Sequence, residues 1–197
     1  LALLDQAHID SDTGMRARLV NLEFLAGDEA PSNSNTLGDL QDGVGDNTVG
    51  ANGQDFRALR TTRDSKGADL VTIIRHYNRN THGSCGVAYG LGGGTGTITS
   101  GSAGFGVSVN SDWIDVNWSG TGGYSFCTDQ TFAHEIGHNT GFAHNRANAG
   151  SAGVRPFAYG HRVDGQFRTI MSYSSGTGES RVNYFSNPDI TLCPGGA

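Results

Sequence analysis

Hydrophobic positions along this chain come in short runs, separated by breaks rich in glycine, asparagine and serine. Residues 1–10 read as the end of a helix, and Asp10, Ser11, Asp12, Thr13 and Gly14 stop it. Over 16–26 the apolar residues Ala17, Leu19, Leu22, Phe24 and Ala26 are interleaved with polar ones, which predicts a strand. A turn-rich loop covers 27–35. Leu37, Leu40 and Val44 then begin a helical spacing with Thr36 as its cap. Residues 43–46 interrupt it, and a short helix over 54–62 turns Phe56 and Leu59 inward. The near-continuous Val and Ile of 68–77 predict a central strand buried on both faces.

The second half begins with a short β-like run at 85–90 and a glycine-rich connection over 91–104. The connection lacks the G-K-[ST] ending of a phosphate-cradling loop, so it reads as a flexible or bulged link. Residues 105–109 alternate as a strand, and 113–118 as a further short strand or surface flap. A helix should start near Thr128 as N-cap, with Asp129 at its positive end. Beyond residue 144 only broken local patterns remain, which suits a small irregular lobe. The expected class is α+β: one domain over 1–197, with an α/β-like upper lobe over 1–141 and a lower lobe over 142–197.

The helix that starts near Thr128 carries HEIGHNTGFAH at 134–144. His134 and His138, four apart, share one helix face and reach one metal ion. Glu135 is placed to hold a metal-bound water as general base. Gly141 is suited to the positive φ that ends a helix, so the chain turns back and His144 supplies a third imidazole. Three neutral imidazoles with an open fourth position are the donor set of a catalytic Zn2+ site. The competing reading, surface histidines of an ordinary helix, leaves unexplained why three of the seven histidines fall at ligand spacing around one glutamate. His8, His76, His82 and His161 read as packing or surface residues.

Composition narrows the remaining classes. The net charge is −6 with no basic cluster, which argues against nucleic acid. No apolar run approaches the ~20 residues that span a membrane. With 31 glycines and 16% charged residues, the chain reads as a loop-rich globular protein. Its start, with neither initiator methionine nor signal segment, reads as a processed, secreted mature form. Three cysteines, Cys85, Cys127 and Cys193, leave an odd one, and sequence alone does not choose the pair. Calcium is admitted as a second ion, although no EF-hand-type loop occurs. Asn117-Trp118-Ser119 matches a glycosylation pattern of low specificity.

Downstream lies FRTIMSY at 167–173. A long zinc motif followed by such a methionine marks the metzincins. With CGVAYG at 85–90 and NYFSNPDI at 183–190, the chain resembles a reprolysin-like metzincin metallopeptidase, of the bacterial peptidyl-Asp kind. The resemblance covers most of the chain, while only the zinc helix and the methionine turn are highly specific. It implies a mixed, mostly parallel twisted sheet with an antiparallel edge strand and the zinc helix at the cleft. It implies Met171 in a tight turn beneath the imidazoles, where the residues alone also allow an ordinary buried methionine. Tyr173 resembles a tyrosine that approaches zinc or the developing oxyanion, and a packing role is the alternative.

The resemblance further implies an extended polypeptide substrate added to the edge strand, assigned to Phe105, Gly106, Val107, Ser108 and Val109. A Cys85–Cys127 disulfide would fit the family, with Cys127–Cys193 as the alternative. A preference for Asp after the scissile bond would need a cation, for which Arg162 and Arg168 are the candidates. A propeptide or inhibitor is a natural further partner, and a monomer is expected. Two departures stand out. The family opens with a strand and long helix of which only a helix end is recognisable, and Asn145 stands where Asp often follows the third histidine.

The expected activity is that of a zinc metalloendopeptidase, with Glu135 activating the metal-bound water. Two other readings fit the sequence: a catalytically silent zinc-stabilised binding module, and a zinc hydrolase of non-peptide amides. Retention of Glu135 argues against the first, because a purely structural site needs no base.

Overall fold

A computed structural model describes residues 1–27, 29–92, 97–112 and 127–190. The strand or flap expected at 113–118, the glycosylation pattern at Asn117 and Cys193 lie outside the described residues. Helix α1 spans Ala2–Asp10 and α2 spans Asn33–Gln41, followed by a π-helical turn over Asp42–Asp46. Next come α3 (Arg57–Lys66), β1 (Val71–His76), the short α4 (Arg79–His82) and β2 (Gly86–Ala88). A 3-10 turn over Ser100–Phe105 leads into β3 (Val107–Asp112). The zinc-motif helix is α5 (Gln130–Asn139), and three two-residue strands follow: β4 (Arg162–Val163), β5 (Phe167–Arg168) and β6 (Ser180–Arg181).

The main sheet has the order β1-β3-β2, with β1 parallel and β2 antiparallel to β3. Successive residues of a strand face opposite sides, and the two faces are used differently here. Val107 and Val109 join Leu37, Leu40, Val44, Phe56 and Leu59 in one apolar cluster with α2 and α3. Gly86 faces the other way, where an added β-carbon would meet Glu135 and Thr131 of α5. The sheet is thus covered by α2 and α3 on one face and by α5 on the other. A second cluster forms behind α5, where Ala133 and Ile136 pack with Leu4, Ala7, Ile170, Met171 and Phe185.

Several sequence expectations are corrected. Residues 16–26 form no strand: Leu19, Leu22 and Phe24 are exposed, Phe24 completely, and no neighbouring strand takes up the backbone. Alternation there had no sheet to join. β1 is an edge strand of the described sheet, not a central one, and Ile74 is 63% exposed. The central strand is β3, so Val107, Ser108 and Val109 are not an edge open to substrate. All three are buried; Ser108 and Val109 have strand partners on both sides, and Val107 pairs with Val71 of β1. Phe105 belongs to the preceding 3-10 turn and packs edge-on against Tyr89, and Gly106 bonds back to that turn through Ala103.

The helix starts also shift. Ser32, whose side chain accepts from the Asn35 N–H, caps α2 in place of Thr36. Thr36 is buried inside the helix and accepts from Arg75. Asp129 occupies the N-cap of α5, and the Thr128 hydroxyl accepts from Arg181.

Candidate metal centre and active site

Helix α5 sets the first two imidazoles. Its Gly137 faces the core, where an added β-carbon would lie 2.9 Å from Phe185 Cε1 and closer still to Met171 Sδ. Only a glycine lets the helix settle onto that methionine. Met171 is fully buried directly under the turn that carries His134 and His138. Gly141, at φ +93°, ends the helix region and redirects the chain. A side chain there would also overlap Val154, whose N–H bonds the Gly141 carbonyl at 2.8 Å.

The redirected chain carries His144 back to the helix. Its Nε2 lies 3.1 Å from both His134 Nε2 and His138 Nε2. A tetrahedral ion with ~2.0–2.1 Å bonds to nitrogen requires ligand separations of about 3.3 Å, close to this spacing. The other ring nitrogens are committed to the backbone: His134 Nδ1 donates to the Ile170 carbonyl at 2.9 Å and His138 Nδ1 to the Phe142 carbonyl at 3.0 Å. That fixes the tautomer that turns the Nε2 lone pairs together. Burial, and then the neighbouring imidazoles, lower His134 to about 3 and His138 to about 4. His144 is lowered mainly by burial. Three imidazole Nε2 atoms facing one point fit a Lewis-acidic cation. Among the described residues these three histidines are the only such convergence of possible ligands.

Glu135 sits beside them, buried against β2, where Gly86 leaves room for its carboxyl: an added β-carbon would lie 2.7 Å from its Cγ and Oε1. Burial pushes the Glu135 carboxyl up to about 8, and Arg181 acts in the opposite sense. Tyr173 closes another side. Its ring lies 4.2 Å from that of His144 and is about half exposed, and burial, then Glu135, raises its phenol.

The amide oxygen of Asn145 accepts the Tyr173 N–H at 3.1 Å. A cleft beside the imidazoles is lined by Ala88, Gly90 and Leu91 on one side and by Gly150, Ser151 and Ala152 on the other.

Cys85 and Cys127 are joined, which overturns the Cys127–Cys193 alternative. The bond ties the start of β2 to the approach of α5. Arg162 is occupied by Asp164 at 2.6 Å and by the Tyr173 carbonyl at 2.9 Å. Arg168 donates to the Ser172 carbonyl at 3.1 Å.

Two residues were missed in the sequence. Asn139 links α5 to the sheet by donating to the Tyr89 and Val107 carbonyls, each at 3.1 Å. Arg181 approaches Glu135 and donates to the Ile170 carbonyl at 3.1 Å, the same oxygen that holds His134. Asn139 stands at an unspecified position of the zinc motif, directly after His138, and Arg181 lies outside every motif.

The family model for the reprolysin-like metallopeptidase family M12B matches residues 8–197. The chain belongs to this family. It is 30% identical over 199 residues to a peptidyl-Asp metalloendopeptidase of Xanthomonas campestris pv. campestris, covering 97% of this chain and 38% of that protein. A protein of the same name from Stenotrophomonas maltophilia is 28% identical over 196 residues, covering 95% of this chain and 38% of its own length. The chain therefore spans about two fifths of the length of these relatives. No helix among the described residues is long and apolar enough to cross a membrane.

Proposed function

We propose that this chain is the catalytic domain of a secreted zinc-dependent metalloendopeptidase that cuts proteins on the amino side of aspartate. The observation that carries the reading is the convergence of three neutral imidazoles with a buried carboxyl beside them. Family membership and the relatives' name support it.

His134, His138 and His144 would hold the zinc. When bound, zinc supplies Lewis acidity for the scissile carbonyl and for a water. Glu135, adjacent in sequence to the first ligand and poorly solvated, takes the proton of the attacking water and passes it to the leaving amine. Burial favours the protonated form, which suits the second half of that transfer, the donation to the leaving amine. The Tyr173 hydroxyl donates to the oxyanion as it develops.

The substrate strand is reassigned to β2. Its one edge pairs with β3, and among the described residues no strand pairs with the other. An extended peptide laid along β2 would run past His138 and His144 in the cleft. Residues 1–141 and 142–197 would form the two sides of that cleft. The disulfide accords with an oxidising, extracellular setting.

The test is digestion of a mixed peptide library, read by mass spectrometry, with a chelator and after zinc is restored. Cuts abolished by the chelator and recovered with zinc, clustered before Asp, are expected. No cutting by zinc-loaded, folded protein would refute the peptidase reading.

A further inference from the structure

The small sheet β4-β5-β6 aligns three arginines. Arg162 is paired with Arg168 across the antiparallel β4–β5 contact, and Arg168 with Arg181 across the parallel β5–β6 contact. Residues in register on neighbouring strands project to the same face, so like charges placed this way repel. Such a row persists where anions neutralise it. Arg162 has its anion in Asp164, with Glu179 4.0 Å away. Glu179 is itself taken up by Ser175, Ser174 and Thr177, whose hydroxyls hold its carboxylate well below the usual range.

At the other end the row has no carboxylate in contact with it, and Glu135 acts on Arg181 only through space. Among the described residues Arg181 forms no ion pair with a carboxylate. The Nε atoms of both Arg168 and Arg181 are buried without a hydrogen-bond partner. Arg181 is also the member nearest the chemistry. The Ile170 carbonyl that accepts its guanidinium also accepts His134 Nδ1, and Glu135 and Tyr173 both act on it electrostatically.

We propose that Arg181, backed by Arg168, is the specificity-determining residue that receives the side-chain carboxylate of an aspartate in the substrate. The inference rests on the peptidase reading. A guanidinium presents paired donors matched to a carboxylate. The arriving carboxylate supplies the charge the row lacks and uses donors already stripped of water. An asparagine side chain of the same shape supplies neither the charge nor the second acceptor. Arg162 and Arg168 lose the leading role assigned from sequence, because Arg162 is paired and Arg168 stands one strand further from His134.

The test compares three peptides that differ only in Asp, Asn or Lys after the scissile bond, for wild type, Arg181→Lys, Arg181→Met and Arg181→Glu. Wild type should favour Asp in kcat/KM by on the order of 10–100-fold, the scale of a charge-assisted hydrogen bond. Arg181→Met should bring the ratio close to one, and Arg181→Lys should retain part of it. Arg181→Glu should favour Lys over Asp at that position, a gain that damage to the fold does not mimic. The same ranking should appear in binding of fluorescent peptides, read by anisotropy in a Glu135→Gln background. A wild-type Asp preference that survives in folded Arg181→Met overturns the role of Arg181 and leaves the peptidase reading standing. Zinc-dependent cutting with no wild-type preference for Asp overturns the specificity and this role together.

Discussion

Gly137 and Met171 are in direct contact, and the contact is possible only because position 137 has no side chain. The floor of the metal centre is therefore set by a missing methyl group as much as by the methionine. Glycine inside a helix ordinarily destabilises by about 0.5–1 kcal/mol relative to alanine. Here the sign should reverse. Gly137→Ala should destabilise the fold by about 1–3 kcal/mol through overpacking against Met171 and Phe185. Urea unfolding of the zinc-stripped protein measures this, and an unchanged or raised midpoint would contradict the tight fit.

Replacing the carboxyl of Glu135 by an amide separates metal binding from proton transfer. Glu135→Gln should keep one zinc per chain by elemental analysis, because all three imidazoles remain. Turnover should fall on the order of 10²–10⁴-fold, the usual worth of a positioned general base. Wild-type turnover in a zinc-loaded Glu135→Gln protein would remove Glu135 from the mechanism.

The same substitution has a pH signature in the zinc-stripped protein. Glu135 titrates at about 8 in the fold against its ordinary 4.5, so the folded state holds a proton that the unfolded state has lost. Its contribution is full below pH 4.5, and stability falls as pH rises towards 8. His134 and His138 behave oppositely. Their folded values of about 3 and 4 lie below 6.5, so their contribution is full above 6.5 and is lost as pH falls. The histidine contributions are common to wild type and Glu135→Gln, so the difference between the two isolates Glu135. Between pH 6.5 and 8 the thermal midpoint of wild type should fall relative to that of Glu135→Gln. Parallel curves would show that the carboxyl is not held protonated.

The disulfide spans a sequence separation of 42 residues. Closing a loop of that size restricts the unfolded chain, and losing it should cost about 2–4 kcal/mol. The double variant Cys85→Ser with Cys127→Ser should show that drop in denaturant unfolding. Its metal affinity, measured by competition with a chelator, should change far less, because the ligands lie elsewhere.

The convergence of the three histidines was legible because they are close in sequence and their spacing follows from helix geometry. His134, Glu135 and His138 lie within one helical turn and a half, and Gly141 dictates where the turn must fall. The Cys85–Cys127 pairing was legible only through family resemblance, since three cysteines permit several pairings. The order of strands was not legible. Alternation at 105–109 identifies a strand with one apolar face, yet says nothing of whether neighbours flank it on one side or both. At 16–26 the same alternation occurs with no partner strand to satisfy its backbone. Arg181 was hidden for another reason. Its role depends on register across β4-β5-β6, and each of those strands is too short to leave a periodic trace.

The Cys85–Cys127 bond also encloses residues 86–126 in a covalent ring, which includes β2 and β3. On the proposed reading, the chain works in the presence of its own cutting activity and that of its neighbours. A backbone cut anywhere inside the ring leaves the segment carrying Glu135 tethered to the segment before β2. Nicked molecules would run as two chains on a reducing gel and as one without reductant. The protein can thus be scarred within that stretch without shedding either half of its active centre.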